Sequence, residues 1–250
     1  MVRDACGLVP GGATAPPARC EPTVLERLGW DSFFAQQLDA QALNQTPPVR
    51  VVAVHRSGLQ VAGDGIDQTI PTGPEATAGD WLLFDPARPR SSRVLERKSL
   101  IKRRTPGTDR QIQLIAANID TVFVVTSCNQ DFNVARLERY LAICLEAGIE
   151  PVIVLTKSDL VGDPEPWIDR AKAVCDRVPV LALDARGTAP TQALGAGCKP
   201  GRTVAFLGSS GVGKSTLTNA LLGATAIATQ GSRFTATSEP SGVIRATGMA

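Results

Sequence analysis

The spacing of apolar residues changes character twice along the chain, predicting three kinds of element. From Val24, the residues Val24, Leu25, Leu28, Phe33, Phe34 and Leu38 recur near helical spacing, broken by Gly29, until Pro47-Pro48 stops them. This predicts a short helical segment over 23–47. Over 48–98 short β runs take over at 49–54, 59–61, 68–70, 81–84 and 93–95, separated by Gly, Pro and Asp. So many short strands in so little chain predict a small barrel; an OB-like barrel leads, and an SH3-like barrel fits the pattern nearly as well. After Ile112 strands alternate with helices: strands at 120–126, 151–155, 178–183 and 203–207, and helices at 134–145, 167–175 and 214–222. That alternation predicts an α/β domain over 112–250, with a parallel sheet, helices on both faces and ligands at the carboxyl ends of the strands. Residues 1–22, rich in Gly, Ala and Pro without periodicity, are expected to be a disordered leader, and 99–111 a basic linker.

Composition narrows the function classes. With 43% hydrophobic and 20% charged residues the chain is globular in type. No run reaches the roughly 18 apolar residues of a membrane span, and the first residues lack the apolar block of a signal peptide, so a cytoplasmic protein without a membrane partner is expected. The six cysteines form no CxxC pair, and the single histidine, His55, excludes sites that need two imidazoles. Net charge is only +2, but from Arg88 to Arg110 nine basic side chains face two acidic ones. Arg97, Lys98, Lys102, Arg103 and Arg104 are the candidates to meet a polyanion such as RNA, whose phosphates would relieve their mutual repulsion.

The strongest chemical signal is Gly208-Ser209-Ser210-Gly211-Val212-Gly213-Lys214-Ser215, a G-x-x-x-x-G-K-[ST] phosphate loop between a predicted strand and a predicted helix. Gly211 and Gly213 let the backbone curl into a nest of N–H groups, and the helix adds its positive end, reached also by Thr216. Lys214 and Ser215 are the candidate catalytic pair: the ammonium for the β and γ phosphates, the hydroxyl for Mg²⁺. Base choice points to Thr156-Lys157-Ser158-Asp159, an [NT]KxD pattern directly after a predicted strand. One carboxylate can accept from both N1–H and the 2-amino group of guanine, whereas adenine offers no such pair; Lys157 would lay its stem over the purine. GTP/GDP with Mg²⁺ is therefore the expected cofactor set. Asp159 precedes Gly208 by 49 residues, the reverse of the Ras-like order, which indicates a circular permutation. Between them, Asp184-Ala185 stands where the fifth GTPase motif belongs, with Asp184 in place of the usual Ser.

With these motifs, Leu28-Gly29-Trp30, Gly79-Asp80-Trp81, Glu96-Arg97-Lys98-Ser99, the run from Gln113 to Asp120 and Asn129-Gln130-Asp131-Phe132-Asn133 resemble the ribosome small-subunit-dependent GTPase A family over roughly 24–223. The resemblance implies an OB-fold joined to a circularly permuted GTPase domain, and a GTPase that assists late maturation of the small ribosomal subunit, is activated by it and binds it partly through the barrel; for the basic segment, ribosomal RNA is then the expected polyanion. A monomer is expected. The match breaks downstream. The family's R-H-T-T-T switch stands here as Arg233-Phe234-Thr235-Ala236-Thr237, leaving Thr235 or Thr237 for Mg²⁺, and DTPG is replaced at best by Ala246-Thr247-Gly248. The family's zinc domain would follow Ala250, so zinc is not expected and the GTPase domain is expected to be incomplete. Losing switch residues should reduce hydrolysis far more than binding. Two other readings compete: a non-catalytic RNA-binding module on a degenerate GTPase fold, and a P-loop kinase or ATPase, which leaves Asp159 without purpose.

Overall fold

The computed structural model describes residues 22–38, 45–104, 112–222 and 243–247. Residues 1–21 of the expected leader lie outside them. Thr23 starts helix α1 (Val24–Arg27) with a capping box: its side chain accepts from the Glu26 N–H, and the Glu26 carboxylate accepts the Thr23 N–H at 2.8 Å. Asp31 caps helix α2 (Ser32–Ala35). The expected single interrupted helix is thus two short ones. Gly29, at φ 90°, makes the break, and a Cβ there would meet the Arg50 guanidinium and the Gly201 carbonyl at 2.7 and 2.9 Å.

The β-rich segment forms an antiparallel five-stranded sheet in the order β3-β2-β1-β4-β5. Its strands are β1 (Pro48–His55), β2 (Gly58–Gly63), β3 (Ile66–Ile70), β4 (Trp81–Leu83) and β5 (Arg93–Val94). A bulge in β1 between Val51 and Ala53 bends the sheet as an OB-like barrel requires. Val49, Val51, Val61 and Leu82 fill one face, while Trp81, Leu83 and Ala62 on the other are covered by Leu28 and Phe34 of the helical segment. Trp30 meets the Trp81 ring edge-on at 4.8 Å.

The described part of the expected linker is a strand, β6 (Leu100–Arg104), paired antiparallel with β7 (Ile112–Ala117). Sequence reading misses it because the alternation is short: Ile101 is buried and Lys102 exposed, and the run of basic residues masks the apolar partner.

The α/β domain comprises β8 (Thr121–Ser127), α3 (Val134–Glu146), β9 (Glu150–Thr156), α4 (Glu165–Lys172), β10 (Val180–Ala182), α5 (Ala189–Leu194), β11 (Thr203–Leu207), α6 (Lys214–Leu222) and β12 (Val243–Thr247). The strand order is β10-β9-β8-β11-β12. The first four run parallel, but β12 is antiparallel to β11, so the sheet is mixed rather than wholly parallel as expected. Hydrophobic period carries no direction, and an antiparallel edge is common on such sheets. Alternate residues face opposite layers. Val122, Val124, Ile153 and Leu155 pack under α3 and α4, while Phe123, Val125, Val154 and Phe206 pack under α5 and α6. Cys144 of α3 is buried, which pushes its thiol up to about 12 and leaves it a packing residue rather than a nucleophile.

Barrel and α/β domain meet at Asn118, a non-glycine residue at φ 54°. Its side chain donates to the Gly79 carbonyl at 2.9 Å and accepts the Lys98 N–H at 2.8 Å. Arg50, fully buried, donates to the Leu28 and Asn118 carbonyls. Burial pushes its guanidinium down to about 10, opposed by Asp120 and Asp80. These bonds tie the helical segment, the barrel and the α/β sheet at one point.

Candidate nucleotide site

The ends of β8, β9, β10 and β11 carry Asn129, the 156–159 segment, Asp184 and the phosphate loop, so the parallel register alone brings these segments to one edge of the sheet. At Gly208 the loop passes so close to β8 that a Cβ would sit 2.2 Å from the Val125 carbonyl. Gly211 and Gly213 have φ of 78° and 97°, the left-handed backbone that a nest needs and that L side chains rarely adopt. Val212 is buried against the sheet and pins the loop, while Ser210, Ser215 and Thr216 are exposed along it.

Lys214 turns back over the loop, donating to the Gly208 and Ser209 carbonyls at 2.8 and 2.6 Å. It is only 7% exposed, and this burial lowers its pKa. Stripping water from an ammonium is costly, and the two carbonyls offset part of that cost.

The base loop is joined to the phosphate loop directly. The Thr156 hydroxyl lies 2.6 Å from the Val212 carbonyl and 3.1 Å from the Thr126 carbonyl, with one proton to donate between them. Lys157 follows at φ 58°, a conformation that costs a side-chain-bearing residue roughly 1–2 kcal/mol. Its ammonium stands 4.0 Å from Asp131. Ser158 and Asp159 form a single 3-10 turn beyond it. Asp131 is itself held by Asn129, whose side-chain amide donates to it at 3.1 Å.

Two contributors were not singled out as site residues from the sequence. Arg136, in the first turn of α3, donates to the Ser209 hydroxyl at 2.8 Å. Arg186 donates to both Asp159 and Asp184. Its hydrogen bonds hold the Asp184 carboxyl below the ordinary carboxylate range. Ala185 between them is buried. The nearest sequence signal is the Asp184-Ala185-Arg186 turn, closed by the Arg186 N–H to Asp184 at 3.0 Å, but only the pairing of β10 with β9 reveals its reach to Asp159.

The predicted downstream and basic residues fare differently. Thr235 and Thr237 lie outside the described residues. Thr247 pairs with Thr203 at the start of β11, whereas Val243 pairs with Leu207 at its end. Ala246 and Thr247 therefore sit at the far end of the strand from the phosphate loop, which corrects their reading as a remnant of DTPG: antiparallel pairing carries them away from the site. Among the basic candidates, Arg97 is committed to Asp80 at 2.7 and 2.9 Å, and Lys98 pairs with Asp31 above the Phe34 ring. Lys102 is exposed; the side chains of Arg103 and Arg104 lie outside the described residues.

A phosphate loop and a TKxD loop hydrogen-bonded to each other at the carboxyl edge of a parallel sheet, with the base loop first in the chain, define a circularly permuted GTPase-type fold. The RsgA GTPase family model matches residues 94–237, and the chain belongs to that family. It is 46% identical over 206 residues to the small ribosomal subunit biogenesis GTPase RsgA 2 of Vibrio vulnificus, covering 81% of this chain and 59% of that one. To the RsgA of Mesorhizobium japonicum it is 47% identical over 208 residues, covering 80% and 58%. The chain thus spans less than two thirds of the length of these relatives. Among solved structures, YjeQ from Thermotoga maritima superposes with a TM-score of 0.54 at 22% identity, covering 70% of this chain and 64% of that one, a likeness of fold. No helix among the described residues is long and apolar enough to cross a membrane.

Proposed function

We propose that this chain binds GTP and GDP through residues 208–216 and 156–159, and hydrolyses GTP in response to the small ribosomal subunit, whose maturation it assists. The observation that carries the reading is the hydrogen bond from Thr156 to the Val212 carbonyl, because it links the base loop to the phosphate loop at its crown. The residues present suit the ligand. Gly211 has nothing within 4 Å of the position a Cβ would take, so its side of the loop is open to a phosphate. Lys214 can trade its two carbonyls for phosphate oxygens, and Asp159 has the two lone-pair directions that guanine's N–H edge requires. Mg²⁺, a hard cation that accepts hydroxyl, phosphate and water oxygens, would be held by the Ser215 hydroxyl together with the nucleotide, and it supplies charge neutralisation between the β and γ phosphates. The chain's own part is to bind and orient: Arg136 fixes Ser209, Thr156 fixes the loop crown, and Lys214 supplies positive charge.

The basic segment serves the second half of the reading. Arg97 is paired with Asp80 and Lys98 with Asp31, so Lys102, with Arg103 and Arg104 next to it in β6, is assigned to ribosomal RNA. Such a protein acts in the cytoplasm, as a monomer on its subunit. Phosphate release measured with and without small ribosomal subunits tests the proposal. Release from GTP, stimulated by subunits and absent with ATP, is the expected result; salt-sensitive RNA binding with no release would instead establish a non-catalytic RNA-binding module.

Asp159→Asn separates base from phosphate recognition. It replaces a two-fold acceptor by a group with one acceptor and one donor, so the preference for GDP over ADP should fall by about 10- to 100-fold, the worth of one charge-assisted hydrogen bond, while ADP affinity stays constant. Competition titration with a fluorescent nucleotide reads it; a preference that survives would remove Asp159 from the base site.

A further inference from the structure

One guanidinium nitrogen of Arg186, Nη2, donates to Oδ2 of the carboxylate that the guanine reading assigns to the base. A guanidinium and the guanine edge offer the same thing, coplanar N–H donors at a spacing that matches a carboxylate. Arg186 lies across Asp159 from the neighbouring strand's loop, and it is bound at the same time by Asp184, with Nε 3.0 Å from Oδ1 and Nη2 3.2 Å from Oδ2. We propose that Arg186 is an internal competitor for guanine: it closes the base site by pairing with Asp159, and retreats onto Asp184 when a guanine nucleotide enters. Asp184 is the parking carboxylate, so release from Asp159 does not strand the cation.

The geometry makes the exchange feasible. The Arg186 side chain is 67% exposed and needs no repacking to move, whereas the Asp159 side chain is 24% exposed and stays in place on its short 3-10 turn. An exposed ion pair is weak, so the competition tunes affinity without abolishing it. The effect falls on the base alone, since Arg186 has no hydrogen bond to the phosphate loop among the described residues. A nucleotide held less tightly leaves faster, because changes in affinity within one site appear mainly in dissociation. Arg186 would then set how readily GDP is released.

The inference rests on the guanine reading, and the experiment separates the two. GDP and ADP affinities are measured by competition for the wild-type chain and for Arg186→Ala, Arg186→Gln, Asp184→Ser, the Arg186→Ala/Asp184→Ser double variant and Asp159→Asn. Removing Arg186 should tighten GDP binding by about two- to fivefold and leave ADP unchanged. Asp184→Ser alone should weaken GDP binding, because Arg186 loses its alternative partner, and should have no effect once Arg186 is gone. Weaker or unchanged GDP binding in both Arg186 variants overturns the proposal, as does an Asp184→Ser loss that persists in the double variant, which would make Asp184 a direct ligand contact. If Asp159→Asn abolishes guanine preference while the Arg186 variants do not tighten GDP, the competitor alone falls. If Asp159→Asn changes nothing, the guanine reading falls and takes the competitor with it.

Discussion

Lys214→Ala is expected to weaken GTP and GDP binding by about 100-fold, and ADP by a similar factor, so that the preference among bases is untouched. The ammonium would make charge-assisted hydrogen bonds to phosphate oxygens, each worth about 1.5–3 kcal/mol, and two of them exceed the ~2.7 kcal/mol that 100-fold represents. Burial strengthens the case. The side chain already sits largely out of water with its proton affinity lowered, so a phosphate dianion replacing two neutral carbonyls gains more than it would at an exposed lysine. Loss of the Gly208 and Ser209 bonds also loosens the loop, and that part of the effect would be shared by every nucleotide. Titration with labelled GDP and ADP reads the result. A loss below about fivefold would show that the loop does not bind phosphate through this lysine. The contrast with Asp159→Asn is the informative part: one variant scales all nucleotides together, and the other changes their ratio.

Arg97→Ala is expected to destabilise the chain by about 3–5 kcal/mol, seen as a lower denaturation midpoint in urea with an unchanged slope. The Asp80 side chain is completely buried, and its charge is answered by the Arg97 guanidinium at 2.7 and 2.9 Å and by the Thr77 N–H at 2.8 Å. Without Arg97 one hydrogen bond remains for a carboxylate withdrawn from water. Asp80 also holds the turn into β4, next to the Gly79 backbone that Asn118 grips, so strain would spread to the junction between barrel and α/β domain. Arg97→Lys should recover part of the loss, since it restores charge but not the fork. Removing Asp80 as well should cost less than the two single changes added together. A cost below 1 kcal/mol would place this pair with ordinary exposed ion pairs.

The conflict between Arg97 as an RNA contact and Arg97 as a structural ion pair shows where sequence reading runs out. Nine cations within a short stretch are visible as a charge excess. Which of them are spent inside the protein depends on Asp31, Asp80 and the Phe34 ring, all supplied from elsewhere in the chain. The same limit explains β6: its alternation of Ile101 and Lys102 is too short to detect until β7 lies beside it. It also explains the DTPG remnant assigned to Ala246-Thr247-Gly248, where only Thr and Gly matched and the antiparallel register carries Ala246 and Thr247 away from the site.

Local pattern determined the kinds of element, the phosphate loop and the TKxD loop, because each is written in contiguous residues. Gly211 and Gly213 both take the positive φ that this loop pattern calls for. The tertiary structure alone decided what crosses between strands: the bond from Thr156 to Val212, the reach of Arg136 to Ser209, and the closure of Arg186 over Asp159. Those contacts join residues separated by 56, 73 and 27 positions, and chain proximity cannot report them. They exist because parallel pairing delivers the ends of β8, β9, β10 and β11 to a single edge, where short-range electrostatics selects the partners.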